Sequence, residues 1–258
     1  MDGSRTTRRR TRRWATLLVA GGLAAATGVP SGGPAAAAVS PDLVLFYAFT
    51  AGSGTSVVDS SNARLHGTLT NADPSTAYVP GRAGYGRALQ LVGRQRQYVA
   101  VPEHPALDVN RFTVAALVRY TGVQNPDTHG RWEVLEKAGA YWVNVRTNGR
   151  VRVGGFFGGC TSSRFWKYVD STRTVRTGTW THVTSTYNGS RLRVYVDGVA
   201  AGGVDVTGRT CSNDEPLAVG AKNAPAVNGL EAFWDGRLDD VRVYDRALTP
   251  TEVANLAP

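Results

Sequence analysis

The sequence predicts an all-β domain in which two antiparallel sheets pack face to face as a sandwich or jelly roll, followed by one short C-terminal helix. Many short segments show either strict alternation of apolar and polar residues or a brief apolar run, the patterns of half-buried and fully buried strands. Turn-forming residues separate these segments about every 8–12 residues, which is typical of sandwiches and barrels. No strand segment alternates with a helical one and no internal repeat occurs, so a parallel α/β fold is not expected.

The central part of the chain, residues 180–206, predicts an antiparallel meander of three strands. In the second of these strands Leu192, Val194 and Val196 alternate with polar or larger residues. One face of the sheet is therefore expected to pack on a core, and the other to be more exposed to solvent. Asn188-Gly189 precedes this strand and predicts a two-residue type I′ turn, in which both residues have positive φ. Asp197-Gly198 predicts the second turn of the meander.

Further strands are expected on both sides of the meander, and their positions follow from apolar runs and β-branched content. In chain order they are 44–49, 66–69, 88–92, 98–101, 112–120, 132–137, a hairpin over 141–157 with an Asn-Gly turn, 217–220 and 236–244. The single helix signal lies near the end of the chain. There Thr249 and Glu252 form a capping box, Pro250 occupies the first helical position, and apolar residues follow to Leu256.

Residues 1–38 have the pattern of a secretory signal peptide. A basic run at 8–13 precedes an apolar stretch at 14–29, and Ala36-Ala37-Ala38 offers a cleavage site. The paired arginines indicate the twin-arginine route, but the Phe-Leu that usually follows them is absent, so Sec export remains open. An uncleaved membrane anchor is the alternative. Cleavage would leave residues 39–258 as one domain that is secreted, extracellular and free of membrane.

The net charge gives no reason to expect a nucleic acid as partner. The chain carries 29 Lys and Arg against 20 Asp and Glu, a formal charge of +9. Removal of residues 1–38 leaves 23 basic and 19 acidic residues, a net charge of +4. These basic residues are spread along strands and form no block or recognised motif, so we expect no nucleic-acid partner. We also expect a monomer.

Two cysteines, Cys160 and Cys211, lie in the part of the chain that would be exported. Two cysteines in an exported protein predict one disulfide. This disulfide would close a loop of 51 residues (211 − 160). In the chain-entropy account, closing such a loop stabilises the folded protein by about 4 kcal/mol. The pair lacks CxxC spacing, which argues against a metal site.

Three motifs give the chain a family resemblance. They are Gly86-Arg87-Ala88-Leu89, the pattern W-x-H-V-x-x-x-Y-x-G-x-x-x-x-x-Y-V-D-G that starts at Trp180, and G-x-L-D-D-V-R-V-Y-x-R-A-L-T-x-x-E-V that starts at Gly236. Over residues 42–256 the chain resembles the laminin-G-like jelly-roll domains of the concanavalin A-like lectin/glucanase superfamily. The resemblance implies a two-sheet sandwich with a concave and a convex face. It leaves function open, because this fold carries lectins, enzymes, sensors and adhesion modules.

The residues that catalysis would need are not evident. Glucanases of the superfamily use two Glu of one strand in an E-x-D-x-x-E pattern, and the nearest match is Glu133 and Glu136 in the run EVLE. In a regular strand a spacing of three puts the two side chains on opposite faces. Asp239 and Asp240 also point to opposite faces, and the Gln-x-His pattern of the lyases is missing. His182 is a candidate base, but a lone histidine in a strand is more often structural.

A structural Ca²⁺ is a further implication of the resemblance, since related jelly rolls hold one near the first loop and the last strand. Hard cations take carboxylate and carbonyl oxygens. The matching residues are Asp59 and Asn62 in the first loop and Asp239 and Asp240 in the last strand. The alternative is ordinary structural chemistry, in which Asp59 and Asn62 bond their own loop and Asp240 pairs with Arg242.

Aromatic side chains are the candidates for carbohydrate contact, because sugar C–H faces stack on aromatic rings beside a few polar groups. The predicted ligand-binding residues are Trp142, Trp166, Tyr168 and Trp234. Trp166 and Tyr168 follow Cys160, so the disulfide could hold them at a sheet edge. Trp132 and Trp180 begin apolar strands and fit the core better. Core packing is the alternative for each aromatic residue.

Together these patterns predict a secreted, non-catalytic module that binds carbohydrate or a glycosylated or cell-wall surface. Two alternatives remain: a polysaccharide hydrolase or lyase on the same fold, and a structural or adhesive extracellular protein without a small ligand. Two carboxylates within about 5.5 Å on one sheet face, or a His-Tyr-Arg group in the concave groove, would favour the hydrolase or lyase.

Overall fold

The computed structural model describes residues 1–3, 40–50, 53–123, 130–160, 162–224 and 229–258. All strands belong to one compact unit, residues 33–258, and of the other unit, residues 1–32, only the first three residues are described. The predicted signal peptide and its cleavage site therefore lie outside the described residues, apart from Met1–Gly3.

Eighteen strands occur in the described part of the chain. They are β1 Leu43–Tyr47, β2 Ser56–Val57, β3 Gly67–Thr70, β4 Tyr78–Pro80, β5 Arg87–Leu91, β6 Tyr98–Val101, β7 Phe112–Tyr120, β8 Arg131–Lys137, β9 Tyr141–Arg146, β10 Arg150–Phe156, β11 Trp166–Thr174, β12 Thr181–Tyr187, β13 Arg191–Val196, β14 Val199–Asp205, β15 Leu217–Val219, β16 Lys222–Ala224, β17 Gly229–Glu231 and β18 Gly236–Tyr244. All pairings between them are antiparallel.

Two eight-stranded sheets make up the sandwich, as the sequence predicts. Sheet I has the order β14-β13-β12-β7-β18-β5-β4, with β1 also paired to β18. Sheet II has the order β11-β10-β9-β8-β15-β6-β3-β2, and β16 and β17 form a separate two-stranded ribbon. The last strand, β18, lies in the middle of sheet I, where it carries the longest motif of the sequence.

The core lies between the sheets and takes alternate residues of each strand. Leu192, Val194 and Val196 of β13 are buried on the sheet I side. Val143 and Val145 of β9 belong to the same buried cluster on the sheet II side. Because side chains alternate in direction along a strand, the residues between these valines point to the outer face of sheet II.

The two turns of the meander differ from each other. Both residues of Asp197-Gly198 have positive φ, 51° and 72°, as a type I′ turn requires. The first turn does not, and our type I′ prediction for Asn188-Gly189 is wrong. Asn188 is not among the described residues with positive φ, and Tyr187 pairs with Leu192 across a longer loop. The Asn188 side chain accepts hydrogen bonds from the backbone N–H groups of the loop, which replaces the tight turn.

The C-terminal helix is confirmed. Helix α2 spans Pro250–Leu256, and Thr249 and Glu252 form the capping box with bonds in both directions. A four-residue helix, α1, at Pro74–Ala77 was not predicted. Short 3₁₀ turns occur at Gly93–Gln95, Pro105–Leu107 and Ser163–Phe165. No helix among the described residues has the length and apolar character needed to cross a bilayer.

The predicted disulfide is confirmed. Cys160 and Cys211 are bonded, with their Cα atoms 5.0 Å apart. The bridge ties the segment between β10 and β11 to the segment that precedes β15. It therefore anchors the start of β11, the edge strand that carries Trp166 and Tyr168.

Candidate functional site

A groove of about 510 Å³ lies on the outer face of sheet II. Three strands, β8, β9 and β10, form its floor, and the edge strand β11 and the β16–β17 ribbon supply its sides. The lining residues are three aromatics, three acids, four bases and one amide: Trp142, Phe156, Trp166, Glu133, Glu136, Glu231, Arg131, Arg146, Arg152, Lys222 and Asn144.

Three of the predicted ligand-binding aromatics come together at one side of this groove. The ring centroids of Trp142 and Trp166 are 6.0 Å apart, and those of Trp166 and Tyr168 are 5.6 Å apart. Trp166 is 45% exposed and Tyr168 is 42% exposed, so both present ring surface to solvent. Phe156 adds a fourth ring at 6.3 Å from Trp142. The result is a continuous aromatic surface that leads into the groove.

A glycine of β10 makes this arrangement possible. Gly154 lies directly between Trp142 on β9 and Tyr168 on β11 in the strand register. A Cβ atom at position 154 would come within 2.2 Å of the Trp142 ring and 2.8 Å of the Lys167 carbonyl. The indole therefore lies over the backbone of β10, in space that any other residue would fill.

The fourth aromatic residue that we predicted to bind a ligand, Trp234, does not lie at the groove. It is fully buried in the core, with its ring 6.4 Å from that of Tyr120, so it cannot contact a ligand. Trp132 is buried as predicted, whereas Trp180 is only partly buried. Sequence spacing did not distinguish Trp234 from the groove aromatics because it stands outside any regular strand pattern.

Our expectation that Glu133 and Glu136 lie on opposite faces is also wrong. Glu133 pairs with Asn144 and Glu136 pairs with Trp142, with a register shift between these pairs. Asn144 and Trp142 are two residues apart on β9 and share a face, so their partners do as well. A β-bulge at Val134 supplies the extra residue. Both carboxyl groups consequently line the groove.

The two glutamates are buried and interact electrostatically. Glu133 is 1% exposed and Glu136 is 6% exposed. Burial raises the pKa of Glu133 to about 8, although Arg131 and Asn144 oppose the rise. Burial also raises the pKa of Glu136, and the neighbouring Glu133 charge raises it further. Among the described residues, Glu136 Oε2 and Asn144 Oδ1 have no hydrogen-bond partner.

Most of the basic side chains of the groove already have an acidic partner. Arg131 lies 3.5 Å from Glu133 Oε2 and 3.3 Å from Glu231 Oε1. Lys222 is also paired with Glu231 Oε1, and this pair joins the two strands of the ribbon. Ion pairs therefore hold the ribbon against the β8 end of the groove.

Arg152 organises the aromatic side of the groove. It donates two hydrogen bonds of 2.7 Å to Asp170 of β11. Its guanidinium also stacks on the Tyr168 ring at 3.9 Å. The bidentate pair lowers the pKa of Asp170 and keeps it ionised. Tyr168 is thus held in one orientation, which reduces the ordering cost when a ligand stacks on it.

His182 does not belong to this groove. It lies on β12 of sheet I, is buried, and has a pKa lowered to about 3 by burial and by the charge of Arg242. Its Nδ1 lies 3.3 Å from the hydroxyl of Thr184. At neutral pH it is an uncharged, hydrogen-bonded side chain, which agrees with the structural interpretation of the sequence.

The first loop shows how Asp59 is used. The backbone N–H groups of Phe46, Ser61 and Leu65 donate to its carboxylate at 2.7–2.8 Å, and the Ser61 hydroxyl donates at 2.7 Å. Four donors therefore point at its two oxygens. This environment does not fit a cation, which needs oxygen lone pairs directed at it. Asp59 instead closes the loop, as the alternative to a metal site proposes.

The other predicted metal ligands are not gathered around Asp59. Asn62 is exposed, and Asp240 lies 3.2 Å from Arg242. Asp239 is buried, and burial and then the Asp240 charge raise its pKa to about 8. In the described ranges no three His, Cys, Asp or Glu side chains are grouped so that they could hold a metal ion. Calcium binding by Asn62, Asp239 and Asp240 stays a prediction.

Comparison with known proteins agrees with this architecture. A laminin-G-type family profile, described as concanavalin A-like lectin/glucanases superfamily, matches residues 93–254. The match includes β8 to β11 and therefore the whole floor of the groove. A search of curated proteins finds no match.

Solved structures with a similar fold include the following three. Domain 4 of AbnA, a GH43 extracellular arabinanase from Geobacillus stearothermophilus, in complex with arabinotriose, has a TM-score of 0.59 and 22% identity over 84% of this chain and 98% of that one. The binding domain of Paraclostridial Mosquitocidal Protein 1 has a TM-score of 0.62 and 17% identity, over 83% and 51% of the two chains. A botulinum neurotoxin type C structure, concerned with cell entry through two ganglioside molecules, has a TM-score of 0.57 and 10% identity, over 84% and 51%.

Proposed function

Because the chain belongs to the concanavalin A-like lectin/glucanases superfamily, we propose that it is a secreted, non-catalytic module that binds carbohydrate in the groove of sheet II. The observation that carries this proposal is the aromatic surface of Trp142, Trp166 and Tyr168 beside a floor of charged and amide groups. The glycan would belong to a polysaccharide, a cell wall or a glycosylated surface outside the cell.

The chemistry of the groove suits a sugar. The C–H face of a pyranose or furanose ring is apolar and stacks on Trp166 and Tyr168, which are half exposed. The ring hydroxyls meet the carboxyl, guanidinium and amide groups of the floor, which fix its orientation. The groove is open along the sheet, so an oligosaccharide could extend beyond the aromatic side.

Ligands of the similar structures support the same class of partner. One was solved with arabinotriose, and another concerns an interaction with two gangliosides. Their identity to this chain is too low to carry a particular sugar over. We therefore propose the class, a glycan, on the groove itself and leave its identity to experiment.

A glycan array followed by titration calorimetry tests the proposal. Trp166→Ala and Tyr168→Ala should each weaken binding about tenfold or more, a loss of roughly 1.4 kcal/mol. Tyr85→Ala is the matched control, because Tyr85 is a partly exposed tyrosine that stacks on Arg82 outside the groove. Equal affinity of all three variants would place the ligand elsewhere. An EDTA arm shows whether binding needs calcium.

One observation favours a second candidate, a glycoside hydrolase. The bulge of β8 puts two buried carboxyl groups in the groove, and retaining and inverting glycosidases both work with such a pair. Incubation with a panel of polysaccharides, followed by chromatography of released oligosaccharides, tests this candidate. Release that disappears in Glu133→Gln and Glu136→Gln would replace the non-catalytic proposal, whereas intact polysaccharides would support it.

A further inference from the structure

We propose that the groove is selective for glycans that carry a free primary amine, such as a deacetylated hexosamine, and that it holds the ammonium group at Glu136 beside Glu133 and Asn144. This inference rests on the proposed glycan-binding function and names the class of sugar. It follows from the unpaired groups on the groove floor, the balance of charge around them, and the ring that lies beside them.

The unsatisfied atoms on the groove floor are acceptors when the carboxyl groups are ionised. Glu136 Oε2 and Asn144 Oδ1 are buried and have no hydrogen-bond partner among the described residues. The bond that Glu133 Oε1 accepts from Asn144 Nδ2 is 3.4 Å long and therefore weak. Buried polar groups without partners are costly, so a ligand that supplies donors here recovers that cost. An ammonium group offers three donors and no acceptor.

The charges around the two glutamates also favour a ligand with an ammonium group. Two buried carboxyl groups on one face repel each other when both are ionised, and the two cations that act on Glu136, Lys222 and Arg131, are both paired with Glu231. Because the pKa of each glutamate is raised, bound protons neutralise the carboxyl groups in the free protein. A positively charged group of the ligand would take the place of such a proton. A neutral sugar hydroxyl brings no charge and satisfies the site less well.

Three of the four basic side chains of the groove are paired with acids other than Glu136. Arg131 and Lys222 are both paired with Glu231, and Arg152 is paired with Asp170. The remaining base, Arg146, pairs with Arg131 in the strand register, whereas Glu136 pairs with Trp142 four residues further along β9. Arg131 and Arg146 therefore lie at one end of the β8–β9 pair and Glu136 lies at the other, where the ammonium would sit. The charge of Lys222 also acts on Glu136, from the ribbon.

The aromatic side chains fit the same ligand. Trp142 lies directly opposite Glu136 in the strand register, and its ring faces the groove. The acid pair therefore borders the aromatic side of the groove. The sugar ring that bears the amine could then stack on Trp166, whose centroid is 6.0 Å from that of Trp142. One hexosamine residue would thus use the acid pair and the aromatic surface together.

Calorimetry with four probes at about pH 7, where an amine retains much of its charge, tests the inference. The probes are the glucosamine trimer, its fully N-acetylated form, cellotriose and trilysine. We expect the glucosamine trimer to bind at least tenfold more tightly than the acetylated trimer and cellotriose. Comparable affinity for cellotriose or the acetylated trimer would overturn the amine selectivity. Comparable affinity for trilysine would show a site for ammonium groups on peptides instead of sugars.

Variants assign the selectivity to the acid pair. Glu136→Gln, which keeps the shape of the side chain, should weaken binding of the glucosamine trimer about tenfold and change cellotriose binding less than twofold. Asp205→Asn is the matched control, since Asp205 is an exposed acid outside the groove. Equal weakening of both sugars by Glu136→Gln would contradict a charge-specific role. Thermal melting confirms that each variant is folded.

The outcomes separate the inference from the proposal on which it rests. If cellotriose or another neutral glycan binds, and Trp166→Ala weakens it, the glycan-binding function stands and the amine selectivity fails. If no oligosaccharide on an array or in calorimetry binds, both fail together.

Discussion

Two buried acidic groups of this domain, Asp59 in the first loop and Glu136 in the groove, have opposite surroundings. Asp59 receives four hydrogen bonds from backbone N–H groups and a hydroxyl, all at 2.7–2.8 Å. Glu136 has one carboxyl oxygen without any partner in the described structure, and the charge that acts on it most strongly is that of another acid, Glu133. Both side chains are nearly inaccessible to solvent.

The difference distinguishes an acid that holds the fold from one that is available to a ligand. A buried carboxylate that is saturated with donors stabilises the structure, because its desolvation is offset by charge-assisted hydrogen bonds. A buried carboxyl group that lacks donors makes the folded state less stable, and a protein keeps such a group where it serves binding or chemistry. Removing the charge should therefore lower the free energy of unfolding at Asp59 and raise it at Glu136.

The largest effect is expected at the first loop. Asp59→Asn removes the charge and turns an amide N–H₂ toward backbone donors, so the free energy of unfolding should fall by roughly 3–5 kcal/mol. Urea denaturation measures this loss. Asn62→Ala is the matched control in the same loop, and as an exposed residue it should change stability by less than about 0.5 kcal/mol. A loss below about 1 kcal/mol in Asp59→Asn would remove the contrast between the two sites.

The buried glutamates of the groove should instead lower the free energy of unfolding when they are ionised, so their effect on stability should depend on pH. The pKa of Glu133 is raised to about 8, so its contribution to stability is complete below the pKa of an unfolded glutamate and is lost as pH rises through 8. Glu133→Gln removes this dependence. Between about pH 5 and pH 8 the wild-type protein should lose on the order of 2 kcal/mol relative to the variant. Parallel stability profiles for the two proteins, measured by urea denaturation across this range, would contradict the raised pKa.

The smallest effect concerns the aromatic side of the groove. Gly154→Ala places a methyl group within 2.2 Å of the Trp142 ring, so the indole must move and the protein should lose about 1.5 kcal/mol of stability. Near-ultraviolet circular dichroism and glycan affinity should change together. In a Trp142→Leu background the same substitution should cost less, because the ring that it displaces is absent. An equal cost in both backgrounds would show that Gly154 is needed for the backbone alone.

The sequence predicted the fold in detail but the site only in part. Strand alternation, the disulfide, the C-terminal capping box and the strand at 236–244 are confirmed, because each depends on local patterns or on one covalent bond. Three of four groove aromatics were also identified. Trp234 was not distinguished from them, since a tryptophan outside a regular strand carries no information about which way it points. Phe156 and the basic residues of the groove had no pattern that singled them out.

What this sequence determined by itself was the period of its strands, and with it which side chains face the core. What only the tertiary structure decided was the exception to that period in β8. A single extra residue at Val134 brings Glu133 and Glu136 onto one face, because the pairing of β8 with β9 shifts by one position there. Pairing register depends on contacts between strands, and no count along one strand reveals it.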